Sequence, residues 1–382
     1  MPISAITSDP LPLQESLVRD RRIVLTLDGG GTGLKFTAIQ GNRLLASPIT
    51  LPSEADHLER CLANITAGFE QIARGLPAPP AAISFAFPAP ADYRAGIIDN
   101  LGNLPAFNGG VPLGPMLEER FGVPVFINND GDLFTYGEAL AGFLPAVNRM
   151  LEEAGSPKRY HNLLGLTLGT GFGGGIVRNG ELFIGDNSNA GEVWLLRNAR
   201  DAGLNAEEGA SIRAVRRWYA DAAGLAPEAA PEPREIFEIG MGRAAGNRAA
   251  ARAAYRNLGE VVGDAMAQAL TLLDGLVVIG GGISGAHELF LPAAVEAMNA
   301  DFPGCPGRRK LVARGFNLED PGERAEFLRG ERRELAVPGS DRRVPYDPLQ
   351  RTGVGLSRLG TSEAVAIGAY AFALHQLGPE VV

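Results

Sequence analysis

The sequence is poor in the residues that build disulfide frameworks and zinc sites. Its 382 residues include two cysteines, Cys61 and Cys305, and four histidines. Two cysteines cannot form a disulfide framework or a four-ligand zinc site by themselves, so a reducing compartment, the cytoplasm, is expected. His57 and Cys61 are spaced to share a helix face, but no second pair of ligands lies near them in the sequence, which disfavours a metal site there.

Long hydrophobic runs and an excess of positive charge are missing as well. The sequence has no run of 18 or more apolar residues, which argues against a transmembrane helix. Its first residues also lack the basic start and apolar core of a secretory signal. The formal net charge is -9, whereas binding to a phosphate backbone needs a basic face. Neither a membrane nor nucleic acid is therefore expected as a partner.

Glycine is in excess, and two glycine-rich stretches share one design. The chain has 50 glycines, roughly twice the usual share of about 7%. Each stretch is an apolar run, a glycine turn with threonine, a second apolar run and an Asn-containing turn; they span residues 25–45 and 166–183. Because glycines let backbone amides approach an anion closely, two such hairpins predict two related lobes that face a shared, phosphate-containing ligand. For either stretch alone, an ordinary tight hairpin is the alternative.

A polar cluster at residues 128–132 separates a predicted strand from a predicted helix. The strand covers residues 123–127, and the helical period continues through Leu133, Tyr136 and Leu140. Asp-Gly alone would indicate a turn. In an open α/β sheet, however, the edge where strands end and helices begin is where ligands collect, and a helix N-terminus favours anions. A simple helix cap is the alternative for Asp130.

Two nucleotide-binding motifs can be dismissed. Residues 169–174 satisfy G-x-G-x-x-G, but a second hairpin follows them, whereas the dinucleotide motif must open a helix. No Gly-Lys-Ser/Thr follows either glycine cluster, so the P-loop pattern fails too.

Five further motifs occur along the chain in a fixed order. They are Asp28-Gly29-Gly30-Gly31-Thr32, Asn129-Asp130 with Gly137-Glu138, Gly169-Thr170-Gly171-Phe172-Gly173-Gly174-Gly175, Asn189-Ala190-Gly191-Glu192 and Val278-Ile279-Gly280-Gly281-Gly282-Ile283-Ser284. Together and in this order they resemble the ROK family of sugar kinases and sugar-responsive repressors. The resemblance runs from about Ile23 to Leu374. It places the chain in the actin/hexokinase-like ATPase superfamily, whose duplicated lobes account for the repeated hairpin.

The resemblance implies an α/β fold with two ribonuclease H-like lobes around a central cleft. The N-terminal lobe is expected at residues 22–128, joined by a C-terminal helix at 361–377, and the C-terminal lobe at 129–360. Residues 1–21 are predicted to be a poorly ordered lead-in. Residues 303–350, rich in Pro, Gly and paired arginines, are not covered by the resemblance and are interpreted as a surface insertion. A homodimer is also implied.

The activity implied is ATP- and Mg²⁺-dependent phosphorylation of a hydroxyl on a hexose or hexose derivative. Such transfer needs a base, donors for the phosphate and a metal ion. The residues that match the family's motifs are Asp130 as base; Asn129, Glu192, Glu207 and Asn103 for the sugar; Gly30, Gly31, Thr32, Gly169, Thr170 and Gly171 for phosphate; Gly280, Gly281 and Gly282 for adenosine; and Asp28 for Mg²⁺, through water. For Asn103 a turn-forming role, and for Glu207 a solvated surface charge, are the alternatives.

The sequence departs from the family at the sugar site. Leu195 stands where the family has a histidine, and no cysteine occurs between Arg197 and Glu208, where the family has a zinc segment. No zinc site is therefore predicted, and the sugar preference is expected to change. Residues 88–90 read Pro-Ala-Pro where Pro-Gly-Pro is usual.

Two other functions are alternatives. One is a sugar-binding protein that has lost catalysis, because the histidine and the zinc segment are missing; the other is a sugar-responsive regulator, the other branch of the family. About 27 residues precede Asp28, too few for the winged-helix domain of the family's repressors.

Overall fold

The structure is a computed structural model in which residues 17–29, 33–87, 91–99 and 105–379 are described. The chain divides into two compact units. The first comprises Met1–Gly142, Glu181–Ala190 and Leu359–Val382, and the second comprises Phe143–Gly180 and Gly191–Arg358. The strands are β1 (Val24–Gly29), β2 (Gly33–Gln40), β3 (Arg43–Leu44), β4 (Ile49–Pro52), β5 (Ala82–Ala86), β6 (Ala91–Asp92), β7 (Ile97–Ile98), β8 (Val125–Asn128), β9 (Leu163–Leu168), β10 (Phe172–Arg178), β11 (Glu181–Leu182), β12 (Leu276–Gly280), β13 (Asp301–Phe302), β14 (Cys305–Arg309), β15 (Arg314–Asn317), β16 (Arg333–Ala336), β17 (Arg343–Tyr346) and β18 (Arg351–Leu356). The main helices are α1 (Leu58–Arg74), α2 (Leu113–Phe121), α3 (Asp130–Leu140), α4 (Phe143–Glu153), α5 (Ile212–Ala223), α6 (Pro233–Met241), α7 (Arg248–Leu273), α8 (His287–Asn299), α9 (Pro321–Arg329) and α10 (Thr361–Leu377).

The first unit is built on a mixed sheet with strand order β3-β2-β1-β5-β8, in which β4 also pairs with β2. Strand β1 runs antiparallel to β2 and parallel to β5, and β5 runs parallel to β8. Parallel strands present their carboxyl ends at one edge of a sheet. The ends of β1, β5 and β8 therefore meet at the same edge.

Helices pack against this sheet, and the sequence pattern of each helix accounts for its packing. The apolar period of α1 buries Ile65, Phe69 and Ile72 in one core with Leu25 and Phe85 of the sheet. Helix α10 packs against α3 and on β1 and β5.

Helices α3 and α10 cross at small residues. A Cβ atom on Gly137 would lie 2.0 Å from the Ala364 carbonyl oxygen, and one on Gly368 would lie 2.0 Å from that of Leu133. Glycine at these two positions therefore lets the two helices pack closely.

The second unit repeats the design of the first. Its strands follow the order β10-β9-β12-β18-β15. Strand β9 pairs antiparallel with β10 and parallel with β12, and β18 is parallel to both β12 and β15. In both units an antiparallel hairpin thus precedes parallel strands, which confirms the predicted α/β fold with a duplicated hairpin.

The stretch 303–350 is not a surface segment throughout. Two exposed hairpins, β13–β14 and β16–β17, fit that interpretation, but β15 pairs with β18 in the main sheet and buries Phe316, while α9 buries Phe327. The interpretation is wrong for residues 314–329. Strand β15 has only four residues, which are too few for an alternating apolar pattern to be recognised in the sequence.

Two other predictions concern the N-terminal lead-in and membrane-spanning helices. Of the predicted lead-in, residues 1–16 lie outside the described residues, while Leu17 is buried. In the part of the chain that the structure describes, none of the helices combines the length and the apolar character needed to span a membrane.

Within the second unit, a buried ion pair joins the segment that follows the exposed hairpin β16–β17 to strand β18. Arg351, at the start of β18, donates to Asp347 at 2.6 Å, and both side chains are at most 2% exposed. The amides of Glu331 and Leu349 also donate to Asp347, at 3.1 and 3.2 Å. Burial alone would raise the pKa of the Asp347 carboxyl, but these amides and the guanidinium hold it below its usual value.

Replacing Asp347 by alanine is expected to reduce the free energy of unfolding by about 3 kcal/mol, because it leaves the Arg351 charge buried without its partner. The depressed pKa means that the stabilisation is present above the unfolded value, about 3.9, and lost as the pH falls through the folded value. The gap between the wild type and Asp347→Ala should therefore narrow in acid, as measured by urea unfolding at several pH values.

The matched control is Glu326→Ala, which removes the exposed pair between Glu326 and Arg314 in the same region. It should cost less than about 1 kcal/mol. Equal losses in the two variants would contradict the structural importance assigned to Asp347.

Candidate functional site

In the first unit, the predicted polar cluster lies between a strand and a helix. Strand β8 ends at Asn128 and α3 begins at Asp130, which confirms the predicted boundary. The helix cap is Asn129, whose Oδ1 accepts a hydrogen bond from the amide of Gly131 at 2.7 Å. Oδ1 of Asp130 accepts from the same amide at 2.9 Å. Asn129 thus caps the helix, and Asp130 holds a carboxyl at the helix N-terminus.

Asp28 lies at the same sheet edge as this cluster. In the strand register Asp28 is next to Ala86 of β5, and Ala86 is next to Asn128 of β8. Adjacent strands lie about 4.8 Å apart, so the backbones of Asp28 and Asn128 are about 10 Å apart across β5. The predicted magnesium ligand and the predicted base therefore sit on opposite sides of one strand.

The surroundings of Asp130 disfavour its charged form. Asp130 as a whole residue is accessible to solvent. Its carboxyl group, however, is surrounded by many protein atoms. Burial raises the pKa of this carboxyl, and the Asp28 carboxylate raises it further, while hydrogen bonds from the backbone amides of Gly131 and of Asp130 itself lower it in part. The net direction is upward, which makes Asp130 a stronger proton acceptor than an ordinary aspartate.

A recess of about 220 Å³ opens between β1, β2 and α10. Asp28, Lys35 and Glu363 lie on its wall, beside the mutually hydrogen-bonded hydroxyls of Thr26 and Thr37. Lys35 is directly opposite Asp28 in the hairpin register, so their Cβ atoms are about 5 Å apart. An exposed ammonium group thus stands beside the predicted magnesium ligand.

In the second unit, the second glycine hairpin and the predicted adenosine segment come together. Strands β9 and β10 enclose Gly169, Thr170 and Gly171, and the Gly169 amide donates to the Gly171 carbonyl at 3.0 Å. Gly281 follows β12 with φ 87°. A Cβ atom there would lie 2.3 Å from the Leu168 carbonyl oxygen, so only glycine permits this approach.

Of the two predicted sugar-binding glutamates, Glu207 contacts strand β10 directly and Glu192 follows a residue that packs on it. A Cβ atom on Gly174 would lie 2.6 Å from the carbonyl oxygen of Gly191, which precedes Glu192. The Glu192 carboxylate accepts a hydrogen bond from the indole of Trp194. The Glu207 carboxylate accepts from the Phe172 amide at 3.0 Å, two residues along the same strand.

The segment between these glutamates is held by hydrogen bonds. Asn198 is 2% exposed. Its Nδ2 donates to the Asn205 carbonyl at 3.2 Å, and its Oδ1 accepts from the Arg200 amide at 3.0 Å. The Asn205 Oδ1 in turn accepts from the Glu208 amide at 3.2 Å. Leu195, which stands at the family's histidine position, is 60% exposed.

Other predicted residues lie outside the described part of the chain. They are Gly30, Gly31, Thr32 and Asn103, together with residues 88–90. Within the described ranges, no three or more His, Cys, Asp or Glu side chains are grouped so that they could hold a metal ion. The absence of a zinc site stays a prediction.

Sequence reasoning missed Lys35, Arg213 and Trp194. Lys35 could have been found by counting the hairpin register, since it faces Asp28 whenever the turn falls at residues 30–32. Arg213 donates to Glu207 and Glu208 at 2.7 Å, but six residues separate it from Glu207, a spacing that no regular period marks. Trp194 had no signal of its own.

The fold and these residues define a class of protein. Both sheets begin with an antiparallel glycine hairpin followed by parallel strands, and the acidic residues of the first unit lie at its strand ends. This arrangement agrees with the α/β fold of two similar lobes that the sequence motifs predict.

Comparison with known sequences identifies the family. The sequence model of the ROK family matches residues 24–306. The chain belongs to the ROK family, as the motifs predicted. The glucokinase of Thermotoga maritima is 26% identical over 320 residues, which make up 78% of this chain and 94% of that protein. An N-acetyl-D-glucosamine kinase of Vibrio vulnificus is 27% identical over 302 residues, covering 73% and 91%.

Solved structures agree with this assignment. A glucokinase from Parabacteroides distasonis is 54% identical and matches with a TM-score of 0.88, covering 94% of this chain and 99% of its own. The ROK hexokinase from Thermus thermophilus shares the fold, with a TM-score of 0.64 at 22% identity. The predicted enzyme class, a sugar kinase, is confirmed by these relatives.

Replacing Asn198 by alanine should loosen the segment between the two glutamates, because it removes a buried side chain that both donates and accepts. A loss of about 1–3 kcal/mol in the free energy of unfolding is expected. Urea unfolding measures the loss, and zinc analysis of the purified wild type tests the metal prediction separately. Stoichiometric zinc, or an Asn198→Ala variant as stable as the wild type, would contradict this account of the segment.

Proposed function

We propose that this protein transfers the γ-phosphoryl group of ATP to a hydroxyl of a hexose or hexose derivative, with Asp130 as general base. The observation that carries the proposal is the place of Asp130: the first residue of α3, at the sheet edge shared with Asp28, in a chain of the ROK family. Its raised pKa supports this role, since a base works best when its pKa approaches the working pH. The proton of the sugar hydroxyl passes to a carboxylate oxygen of Asp130.

The residues present fit a magnesium nucleotide. Asp28 offers carboxylate oxygens, the ligands that Mg²⁺ prefers, and water between them agrees with the reluctance of Mg²⁺ to lose its hydration shell. When bound, Mg²⁺ would neutralise charge on the phosphates. The amides of Gly169, Thr170 and Gly171, and by resemblance those of Gly30, Gly31 and Thr32, would hold phosphate oxygens, and Gly280, Gly281 and Gly282 would pass the adenosine.

Three described side chains are proposed to hold the sugar. The Oδ1 of Asn129 caps α3 and leaves its Nδ2 to donate to the hydroxyl beside the reacting one. Glu192 and Glu207 would accept sugar hydroxyls. Protein donors already orient both carboxylates: the indole of Trp194 donates to Glu192, and the Phe172 amide and the Arg213 guanidinium donate to Glu207. Asn103 is proposed from the resemblance alone.

Glucose is the first sugar to test. A relative that is 54% identical and matches most of the chain is a glucokinase. The exposed Leu195 stands where the family has a histidine, so the sugar preference is proposed to differ from that of the family. An N-acylated hexosamine stays open, because N-acetyl-D-glucosamine kinases are among the relatives.

Location in the cytoplasm and a homodimeric assembly belong to this proposal. Cys61 and Cys305 are both free thiols, which agrees with a reducing compartment. The dimer rests on the family resemblance alone.

A coupled assay of ADP release tests the function. With hexoses, hexosamines and N-acyl derivatives as acceptors, we expect sugar-dependent ATP turnover, fastest with glucose. Absence of turnover with every sugar, while ATP and sugar still bind, would replace the kinase by a sugar-binding protein without catalysis.

Replacing Asp130 by asparagine should lower kcat by about 10²–10⁴-fold with nucleotide affinity largely unchanged, because only proton transfer is lost. In the wild type, kcat/KM should fall in acid as Asp130 is protonated, at a pH above the usual aspartate pKa of about 3.9. An Asp130→Asn variant that keeps wild-type turnover would refute the role of Asp130.

The same variant has a stability readout. A folded pKa above the unfolded one means that the carboxylate destabilises the fold at neutral pH and not in strong acid. Asp130→Asn should therefore melt at a higher temperature than the wild type at neutral pH, and the difference should disappear below the unfolded pKa. Thermal unfolding at two pH values checks the sign.

A further inference from the structure

Arg213 joins a proposed sugar ligand to the second glycine hairpin. Its Nη2 donates to Oε1 of Glu207 and to Oε1 of Glu208, both at 2.7 Å. Its Nη1 reaches the carbonyl oxygen of Thr170 at 3.4 Å. One guanidinium therefore contacts two carboxylates and the turn of the hairpin.

Glu207 completes the link from the other side. While its Oε1 receives Arg213, its Oε2 receives the amide of Phe172, the first residue after the turn. A Cβ atom on Gly171 would lie 2.7 Å from this Oε2, so the turn is packed directly on the carboxylate. Movement of Glu207 cannot leave the hairpin unaffected.

The helix that carries Arg213 is tied to the same turn. The amide of Ile212, at the start of α5, donates to the carbonyl of Gly169 at 2.9 Å. Thus Gly169 is held by the helix backbone, Thr170 by the Arg213 side chain and Phe172 by Glu207. The hairpin has few side chains with which to fix its own shape, and these three contacts supply that restraint.

The charges make Arg213 suited to this position. Hydrogen bonds from Arg213 hold the pKa of the Glu208 carboxyl below its usual value, and the two carboxylates raise that of Arg213. A planar guanidinium can serve two carboxylates and a carbonyl at fixed angles, which an ammonium cannot. The Arg213 side chain is 48% exposed, so its loss should affect geometry more than stability.

We propose that Arg213 is a positioning residue that couples the sugar site to the phosphate hairpin. A sugar hydroxyl that donates to Glu207 would share the carboxylate with Phe172 and Arg213. Arg213 keeps Glu207 in place for both tasks, so that a bound sugar orders the hairpin and raises the affinity for nucleotide. By reciprocity, the nucleotide raises the affinity for sugar by the same factor. This inference rests on the proposed function, because it uses the sugar role of Glu207.

Calorimetric titration of the full chain with AMP-PNP, with and without saturating glucose or N-acetyl-D-glucosamine, tests the coupling. In the wild type we expect at least one sugar to tighten AMP-PNP binding about fivefold or more. In Arg213→Ala this ratio should approach one, and the KM values for ATP and sugar should both rise about tenfold. Arg213→Lys keeps the charge without the fork and should fall between the two.

Arg216→Ala is the matched control. Arg216 lies on the same helix, 33% exposed, but it contacts Glu232 at 3.3 Å and the Ala230 carbonyl at 3.0 Å, not the hairpin. It should keep the wild-type ratio. Melting temperatures of all variants identify any general loss of structure, and Arg213→Lys decides the matter if Arg213→Ala unfolds.

Two results would overturn the inference. One is a wild type in which neither sugar changes AMP-PNP affinity; the other is a folded Arg213 variant that keeps the wild-type ratio. Coupled binding without turnover would contradict only the proposed kinase activity, whereas turnover with unchanged coupling in Arg213→Ala and Arg213→Lys would contradict only the role of Arg213.

Discussion

The parallel alignment of β1, β5 and β8 is the constraint on which the candidate site of the first unit depends. Asp28 and Asp130 are separated by about 100 residues of chain, and neither carries a signal that refers to the other. They share an edge because Asp28 lies at the end of β1 and Asp130 follows β8, and both strands are parallel to β5. The same rule joins the hairpin after β9 to the glycines after β12 in the second unit. The direction of the strands, more than any single contact, thus brings together the candidate site residues within each unit.

This assembly has an energetic cost at Asp130. Crowding by protein atoms and the nearby Asp28 carboxylate both disfavour the charged form, and the helix N-terminus offsets this only in part. A residue chosen for stability alone would be neutral there. The Asp347–Arg351 pair shows the opposite design: amides and a guanidinium surround that carboxylate and favour its charge. The two aspartates therefore differ in whether their surroundings supply partners for the charged carboxylate.

How far the sequence predicts this molecule depends on how local each signal is. The hairpin at 163–178, the helix beginning at Asp130 and the helix at 361–377 follow from patterns that lie within a few residues, and the structure reproduces them. The strand Arg314–Asn317 was not predictable, since its burial comes from pairing with β18 and not from its own period. Arg213 belongs to the same group, because its contacts depend on residues brought close by folding. Lys35, in contrast, could have been found from the local hairpin register.

The segment between Glu192 and Glu207 is held by hydrogen bonds. The resemblance predicts a zinc-held segment there, yet the sequence supplies no cysteine, and the buried amide of Asn198 joins both arms of the turn instead. Hydrogen bonds of this kind are individually weaker than metal ligation, but they are made within a chain that the sheet already confines. The confinement comes from β10, where Gly174 packs on Gly191 and Phe172 donates to Glu207. Since Glu207 is hydrogen-bonded to this strand and Glu192 follows a residue packed on it, the hydrogen bonds of Asn198 have only to close the turn between them.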